Sequence, residues 1–338
     1  MKVLIIHTAF IGDIALSTPL LKRVKEVYPE AKITYVTTPV GASLLRNNPD
    51  ITEIIEYDKR GQHSGLKGIL ELGRRLRYEN FNLVLTPHRY LRSSFLSWLT
   101  RSPKRVGYDI ASGAIFFNKK IKYDKSKHEV EKLLSFLGEI PENPREKYPI
   151  ELYPSQKDIK KIDEIWNENN LNDKKDIIAI APGSKWFTKK WPLEYFNKVI
   201  DLLLKDNKKI IVIGGRDEML LNIEQADKVI DLRGKTTLLE LAEVLKRSKV
   251  VLTNDSSPIH IASAFKDTHI VAIFGPTVKK FGFFPWSLNS EVLENKELEC
   301  RPCAIHGGDK CPKGHFKCML SITPEEVYKK VVQSLKED

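Results

Sequence analysis

The sequence has no apolar run that approaches the ~18 residues of a transmembrane helix, so no membrane span is expected. It has no secretory signal either, because only Lys2 precedes a four-residue apolar run, which predicts a buried first strand. Cysteine is scarce, with four in 338 residues, and this scarcity without an export signal indicates a reducing cytoplasm. An integral membrane protein and a disulfide-stabilised secreted domain are therefore excluded.

Acidic residues are fewer than basic ones, with 44 Asp and Glu against 55 Lys and Arg, a formal net charge of +11. Such an excess indicates an acidic partner: nucleic acid, an anionic membrane face or a phosphorylated substrate. No nucleic-acid-binding motif is found, and the basic residues do not gather into one stripe, so no nucleic acid partner is expected. With 41% hydrophobic residues, the composition is that of a globular protein rather than a disordered or coiled-coil chain.

Short apolar runs alternate with amphipathic stretches in both halves of the chain, as in βαβ units with parallel sheets. Strands are predicted at 3–7, 32–38, 51–58 and 82–87, and again at 176–181, 209–215, 249–255 and 269–277. The clearest helices are predicted at 65–78, 128–140, 237–248 and 323–336, and a further one should begin at Pro192. The predicted class is α/β.

A proline-rich segment at 141–154 separates the two halves and is the best linker candidate. We therefore predict two Rossmann-like domains facing a cleft, 1–150 and 151–338, with the option that the last helix packs back on the first. Ligands of such sheets bind beyond the carboxyl ends of the strands. That rule selects four loops, after the strands that begin at residues 3, 82, 176 and 249.

The first loop contains Asp13 but only one glycine, so it lacks the G-x-G-x-x-G pattern of dinucleotide sites. Asp13 stands between a strand end and a helix start, where an aspartate commonly caps the helix. The alternative is a general base, because a helix amino terminus favours the ionised carboxylate that accepts a proton. The spacing does not decide between these two roles.

The second loop carries His88, Arg89 and Arg92. Arginines three residues apart would share a helical face and could clamp a carboxylate or phosphate, although a solvated basic face fits equally well. A single histidine such as His88 is more often packed than catalytic. Lys59 and Arg60 add positive charge to the same half, so all five residues are candidates for binding an acidic acceptor.

The third and fourth loops combine cations, hydroxyls and helix starts, which suits a diphosphate. The candidate residues of the third loop are Gly183, Ser184, Lys185, Thr188 and Lys189. Those of the fourth are Asp255, Ser256, Ser257 and His260. The alternatives are a solvated lysine loop, and side chains that only cap the following helix or hydrogen-bond within the core.

The four cysteines, Cys300, Cys303, Cys311 and Cys318, lie within nineteen residues and could hold a structural zinc ion. Their C-x2-C-x7-C-x6-C spacing differs from the common zinc signatures because the second pair is not C-x2-C. Free or oxidisable thiols remain the other possibility.

Three segments, which occur in order across nearly the whole chain, resemble the ADP-heptose–lipopolysaccharide heptosyltransferases. They are VLIIHTAFIGDIALSTPLL, APGSKWFTKKWP, and VLTNDSSPIHIASAF with VAIFGPT. These enzymes form glycosyltransferase family 9, and the resemblance implies a GT-B fold. It also implies that Asp13 is the general base, that Lys189 contacts the donor, and that 255–260 matches the family's Asp-[Ser/Thr]-Gly-x-x-His segment. Ser257 departs from it, because glycine is commoner there.

The resemblance further implies an inverting, metal-independent transfer without a cofactor. The donor is ADP-L-glycero-β-D-manno-heptose, and the acceptor is the anionic lipid A-linked core oligosaccharide at the cytoplasmic face of the inner membrane, where the enzyme is peripheral. The cysteine cluster resembles the subgroup that adds the second heptose. Two rival interpretations remain: another nucleotide-sugar enzyme on the same fold, such as an epimerase, phosphorylase or different glycosyltransferase, and a non-catalytic anion-binding protein.

Overall fold

Two parallel β-sheets, one in each half of the chain, organise the structure. The computed structural model describes residues 1–171 and 176–337, and the chain divides into two units, Met1–Tyr153 and Pro154–Asp338. Each unit holds one six-stranded sheet with helices. The α/β class and the parallel sheets are confirmed.

The first unit alternates strands and helices from its start. Its strands are β1 (Lys2–Ile6), β2 (Lys32–Thr37), β3 (Ile51–Glu56), β4 (Leu83–Thr86), β5 (Arg105–Tyr108) and β6 (Lys119–Ile121). Its helices are α1 (Ile11–Leu16), α2 (Thr18–Val27), α3 (Pro39–Leu45), α4 (Gly65–Tyr78), α5 (Leu91–Leu99), α6 (Glu129–Leu134) and α7 (Pro144–Lys147).

The second unit repeats the pattern. Its strands are β7 (Ile177–Ala181), β8 (Lys209–Val212), β9 (Ile230–Asp231), β10 (Val250–Asn254), β11 (His269–Ile273) and β12 (Ser290–Leu293). Its helices are α8 (Gln156–Glu168), α9 (Leu193–Lys205), α10 (Leu238–Arg247), α11 (Ser257–Ala262), α12 (Lys317–Leu320) and α13 (Pro324–Lys336). None of the helices in the described ranges has the length and apolar character needed to cross a bilayer.

The two sheets have the same strand order. The first runs β3-β2-β1-β4-β5-β6, and the second, read from its β9 edge, runs β9-β8-β7-β10-β11-β12. The order reverses between β1 and β4 and between β7 and β10, which is where doubly wound sheets bind ligands. The four loops selected from the sequence are the loops that follow these four strands.

The central strands are buried along almost their whole length. Val3–Ile6 of β1 and all residues of β7 and β10 are buried, because parallel sheets are covered on both faces and tolerate near-continuous apolar runs. Four strands that the sequence does not predict have only two to four residues each and include several charged residues. They are β5, β6, β9 and β12. Their apolar runs are too short to give a signal.

Helix ends follow local capping chemistry. Thr237 caps α10 by accepting a hydrogen bond from Glu240 N–H at 3.2 Å, while the Glu240 carboxylate accepts from Thr237 N–H at 2.8 Å. The helix predicted at 128–140 is shorter, since α6 ends at Leu134 and a 3₁₀ turn leads to Gly138, whose φ of +114° ends it. Pro192 directly precedes α9 instead of being its first residue.

The last helix belongs to the second unit. Val327 and Val331 of α13 are fully buried in the same apolar core as Ile273 of β11 and Phe196 of α9.

Candidate functional site

Asp13 follows the carboxyl end of β1 as the third residue of α1, whose amino-terminal cap is Phe10. Its carboxylate accepts a hydrogen bond from Phe10 N–H at 3.2 Å. The prediction that Asp13 is the cap residue of this helix is therefore wrong. Asp13 lies three residues later, and its side chain reaches back to the cap residue Phe10. Asp13 as a whole residue is half-buried.

Burial, together with the negative charge of Glu129, raises the pKa of Asp13 to about 7, although Phe10 N–H and the Arg89 guanidinium act in the opposite direction. A carboxyl group that titrates near neutral pH is suited to general-base catalysis, because it is both substantially ionised and able to hold a proton. The sequence predicts an ionised base at Asp13, whereas with this pKa the ionised fraction of the carboxyl group changes with pH around neutrality.

A buried ionic cluster lies beside Asp13. Lys132 Nζ donates to Glu129 Oε2 at 3.2 Å, and the Tyr123 hydroxyl lies 3.4 Å from the same oxygen. The Arg89 guanidinium stacks over the Tyr123 ring at 4.6 Å from its centroid. We call Asp13, Arg89, Tyr123, Glu129 and Lys132 the Asp13 site.

Sequence reasoning missed Tyr123, Glu129 and Lys132. The available signal was a Glu and a Lys three residues apart in HEVEKLL, next to the apolar positions that α6 buries. Charges placed this way on a buried helix face need partners, and in this fold they find each other.

The predicted acceptor residues divide into two groups. His88 is buried, with its Nδ1 at 3.1 Å from the Thr8 hydroxyl and 2.7 Å from the Ser93 hydroxyl, and burial lowers its pKa to about 2. It is therefore neutral and packed, the alternative raised from the sequence. Lys59 donates to the Thr8 carbonyl at 2.8 Å, and burial, reinforced by Arg92 and Arg60, lowers its pKa to about 8. Arg60 is exposed.

Arg89 and Arg92 do not form the expected clamp on one helical face. α5 begins at Leu91, so Arg89 precedes the helix and points to Tyr123, beside Asp13. Arg92 instead donates to the carbonyls of His63 at 2.7 Å and Gly65 at 2.9 Å. Arg92 thus holds the segment before α4, and only Arg89 belongs to the Asp13 site.

In the second unit, Lys189 and Asp255 form a buried ion pair. Lys189 Nζ lies 2.6 Å from Asp255 Oδ2, and the Thr277 hydroxyl donates to the same carboxylate oxygen at 2.6 Å. Asp255 therefore holds a cation and accepts from a hydroxyl, as the sequence allowed. The ion pair joins the third and fourth loops at the carboxyl ends of β7 and β10.

Asn254, the last residue of β10, fixes the third loop against the strand. Its side-chain oxygen accepts from Trp191 N–H at 3.0 Å, and its side-chain nitrogen donates to the Pro182 carbonyl at 2.8 Å. Sequence reasoning passed over Asn254, although an amide at a buried strand end is a recognisable signal of such bridging. We call Lys189, Asn254, Asp255, His260 and Thr277 the Lys189 site.

His260, in α11, is buried, and its Nδ1 has no hydrogen-bond partner among the described residues. Burial lowers its pKa to about 4, Asp255 raises it and Lys189 lowers it, so the ring is neutral at pH 7. Ser256 is the cap residue of α11, but its side chain makes no capping hydrogen bond. Ser257 is the first helical residue and does not have a positive φ, so this backbone does not demand glycine there.

The other third-loop residues differ in their availability. A β-carbon on Gly183 would lie 1.7 Å from Glu218 Oε1, so a larger residue there would require the Glu218 carboxylate to move. Glu218 was missed from the sequence, and burial raises its pKa. The Thr188 hydroxyl accepts a hydrogen bond from Gly308 N–H at 2.7 Å, and its contact with a donor stays a prediction. Ser184 is buried, and Lys185 is exposed beside the Trp186 ring.

The four cysteines are all free thiols. Cys300 Sγ lies 3.9 Å from His315 Nε2, whereas Cys318 is buried in the apolar core, where burial raises its pKa to about 11. Within residues 1–171 and 176–337, no three His, Cys, Asp or Glu side chains are arranged to share a metal ion. A structural zinc ion at these cysteines stays a prediction.

Comparison with known proteins places this chain among enzymes of one family. It is 29% identical to lipooligosaccharide heptosyltransferase 2 of Campylobacter jejuni over 99% of both chains. It superposes on a glycosyltransferase family 9 structure from Veillonella parvula with a TM-score of 0.87 and 24% identity, covering 100% of this chain and 98% of the other.

The structure of Escherichia coli ADP-heptose lps heptosyltransferase II superposes with a TM-score of 0.78 and 21% identity, covering 99% of this chain and 98% of the other. These likenesses confirm the GT-B fold. The family model for glycosyltransferase family 9 (heptosyltransferase) matches residues 69–310. Because that match spans well over half of its length, the chain belongs to glycosyltransferase family 9 and is a glycosyltransferase.

Proposed function

We propose that this protein transfers heptose from an ADP-heptose donor to the inner core of lipopolysaccharide and adds the second heptose. Support comes from the relatives, one named lipooligosaccharide heptosyltransferase 2 and another ADP-heptose lps heptosyltransferase II. The observation that carries the proposal is the Asp13 carboxyl, which lies at the carboxyl end of β1 and titrates near pH 7 in a chain of this family.

In the proposed reaction, Asp13 accepts the proton of the acceptor hydroxyl. The hydroxyl oxygen forms a bond to the anomeric carbon of heptose from the side opposite the diphosphate. The bond between that carbon and the phosphate oxygen breaks, and its electron pair leaves with ADP. The configuration at the anomeric carbon is therefore inverted, and the proton ends on Asp13 before passing to solvent.

Residues 151–338 would provide the donor contacts. Lys189 would share its charge between Asp255 and the diphosphate and stabilise the negative charge that grows on departing ADP. Backbone N–H groups of Ser256 and Ser257 at the start of α11 would add donors, and Gly183 would allow close approach. Because a lysine supplies the positive charge, we propose a transfer that needs no metal.

Residues 1–150 would provide the base and the acceptor contacts. Lys59 and Arg89, with the exposed Arg60, supply positive charge near the carboxyl end of β1, while His88 and Arg92 hold the loops that carry them. Such charge suits the anionic sugars and phosphates of a lipid A-linked core. We propose that the enzyme works in the cytoplasm, bound peripherally to the inner membrane where this acceptor lies.

A mass-spectrometric transfer assay tests the proposal. The protein is incubated with ADP-heptose, or with UDP- and GDP-sugars, and with lipid A-linked acceptors that carry either no heptose or one. Of the nucleotide sugars, we expect only ADP-heptose to add the mass of one heptose. This gain should appear only on the acceptor that already carries one heptose, and it should be the same when a chelator is present. Donor conversion without acceptor would indicate an epimerase, and activity that disappears with chelator would contradict the metal-independent step.

A further inference from the structure

The outer side of α5 carries apolar side chains where a surface helix normally carries polar ones. Leu91, Phe95 and Trp98 are four and three residues apart, so they lie along one side of the helix. Leu91 is 54% exposed and Trp98 is 45% exposed, although both side chains are large and apolar. The stripe starts directly after the loop of His88 and Arg89 and runs the length of the helix.

A second segment widens this stripe. The rings of Phe95 and Trp98 stack with centroids 5.7 Å apart, and the ring of Phe116 lies 5.8 Å from that of Trp98. Beside Phe116, the side chain of Ile115 is 84% exposed. We call Leu91, Phe95, Trp98, Ile115 and Phe116 the α5 face. A contiguous exposed apolar surface of this kind on a soluble unit marks an interaction site.

Positive charge surrounds the α5 face. Residues 98–127 contain eight Lys and Arg and two Asp, a net charge of +6 out of +11 for the whole chain. The backbone N–H of Arg101 donates to the Trp98 carbonyl at 3.1 Å, and the side chain of Arg105 donates through Nε to the Phe116 carbonyl at 3.1 Å, so these basic residues adjoin the segments that carry the aromatic rings.

Four exposed basic side chains form the rim of this face: Arg101, Lys104, Lys119 and Lys120. In the part of the chain that the structure describes, none of the four has a carboxylate within ion-pair distance. Their charge is therefore available to a partner. Two copies of this face would repel each other, so the charge opposes self-association and favours an anionic occupant.

We propose that the α5 face and its basic rim dock this protein on an anionic phospholipid bilayer. Trp98 and Ile115 enter the boundary between headgroups and acyl chains, where tryptophan is favoured, while the rim pairs with lipid phosphates. This assignment rests on the proposed function, whose acceptor is lipid-linked. It names a surface for the contact, one that begins beside the loop of the predicted acceptor residues.

Vesicle co-sedimentation of the full chain tests the assignment. Wild type is compared on phosphatidylcholine vesicles and on vesicles containing phosphatidylglycerol, at low and high salt. The variants are Ile115→Ser and Lys104→Glu/Lys119→Glu. The controls are Leu220→Ser, at a 90% exposed position of the second unit, and Lys266→Glu/Lys329→Glu, which makes the same charge change there. Circular dichroism and thermal melting verify that each variant folds.

We expect wild type to bind the phosphatidylglycerol vesicles in a salt-sensitive manner. The face variant Ile115→Ser and the rim variant Lys104→Glu/Lys119→Glu, together called the α5-face variants, should each bind more than about tenfold more weakly, and both controls should bind like wild type. Equal binding by all variants, or no binding by wild type, overturns the proposal. A concentration-dependent dimer that Ile115→Ser dissociates would also overturn it, because the face would then be a self-interface.

Activity separates this inference from the proposed function. With a soluble, delipidated acceptor the α5-face variants should retain wild-type turnover, whereas with a vesicle-embedded acceptor they should lose it in proportion to binding. If wild type transfers no heptose to either acceptor, the proposed function fails, while the vesicle result still decides whether this face binds a bilayer.

Discussion

Two aspartates occupy comparable places in the two units and have opposite surroundings. Asp13 follows β1 and Asp255 follows β10, each at the point where the strand order of its sheet reverses. Asp13 has one backbone N–H as a hydrogen-bond donor and Glu129 as an acidic neighbour. Asp255 has a lysine and a hydroxyl, each at 2.6 Å. The same residue type is therefore suited to accept a proton in one unit and is a fixed counter-ion in the other.

The comparison shows that neighbours, and not position in the fold, decide the chemistry of these carboxylates. A carboxylate with a cation and a hydroxyl donor is stabilised in its charged form. A carboxylate that is buried beside another acid is destabilised in that form and holds a proton near neutral pH. Substitutions in the two places should consequently have opposite effects.

The largest effect should come from Asp13→Asn, which keeps the shape of the side chain but removes the base. We expect kcat to fall by about 10²–10⁴-fold while the affinity for ADP, measured by calorimetry, is unchanged. Asp124→Asn, at an exposed aspartate of the same unit, serves as the control. A rate near that of wild type would show that Asp13 is not the base.

Stability should move in opposite directions at the two sites. Asp255→Asn leaves Lys189 buried without its counter-ion, so the free energy of unfolding should fall by about 3 kcal/mol in urea titrations. Adding Lys189→Met should recover much of that loss. Lack of coupling in this double-mutant cycle would mean that the ion pair is not a unit.

Asp13→Asn should instead stabilise the protein at pH 8, by roughly 2 kcal/mol. The folded-state pKa of Asp13, about 7, lies above its ordinary value of 3.8, so the folded chain binds more protons between these values. Wild-type stability contributed by this group is therefore full below about pH 4 and is lost as the pH rises through 7, whereas the Asn variant has no such loss. A variant that is less stable than wild type at pH 8 contradicts the assigned surroundings.

The pH profile should move when the neighbours of Asp13 change. Glu129 and Arg89 act on it most directly, and the hydroxyls of Tyr35 and Tyr123 lie within its field. We expect Glu129→Gln to shift the acid limb of kcat/KM down by up to about one pH unit and Arg89→Gln to shift it up. Shifts in the same direction, or none, would exclude these residues from the control of Asp13.

The smallest effect should come from Ser257→Gly, which restores the residue that the family resemblance associates with this position. Because Ser257 starts α11 without a positive φ, the donor KM should change by less than about threefold. A melting experiment should show a loss of about 0.5–1 kcal/mol from the added backbone freedom. A large gain in donor affinity would show that the serine side chain obstructs the donor.

The sequence located the site loops because parallel-sheet topology alone determines where strand ends meet. Asp13 and Asp255 could be located because each lies in a loop that follows an apolar strand, whereas the family resemblance singled out Lys189 among the lysines of its loop. Glu129 and Lys132 were not, because their partners come from distant segments, and nothing local shows which face of α6 is buried. The Thr188 hydroxyl is likewise bonded to a loop far along the chain, a contact that the local sequence does not show.

Element ends were less predictable than elements. The capping box of α10 and the cap of α13 could be read from Thr followed three residues later by Glu. The short edge strands have no such signal. The prediction that Arg89 and Arg92 share a helical face is wrong because α5 begins only at Leu91, and no capping side chain marks that start in the sequence.

Titration of Asp13 tests the central claim most directly. The ¹³Cγ chemical shift of Asp13 can be followed from pH 3 to 9 in protein labelled selectively at aspartate, with the signal assigned by its absence in Asp13→Asn. We expect a midpoint near pH 7 that moves down in Glu129→Gln. A midpoint near 4 in wild type would contradict it.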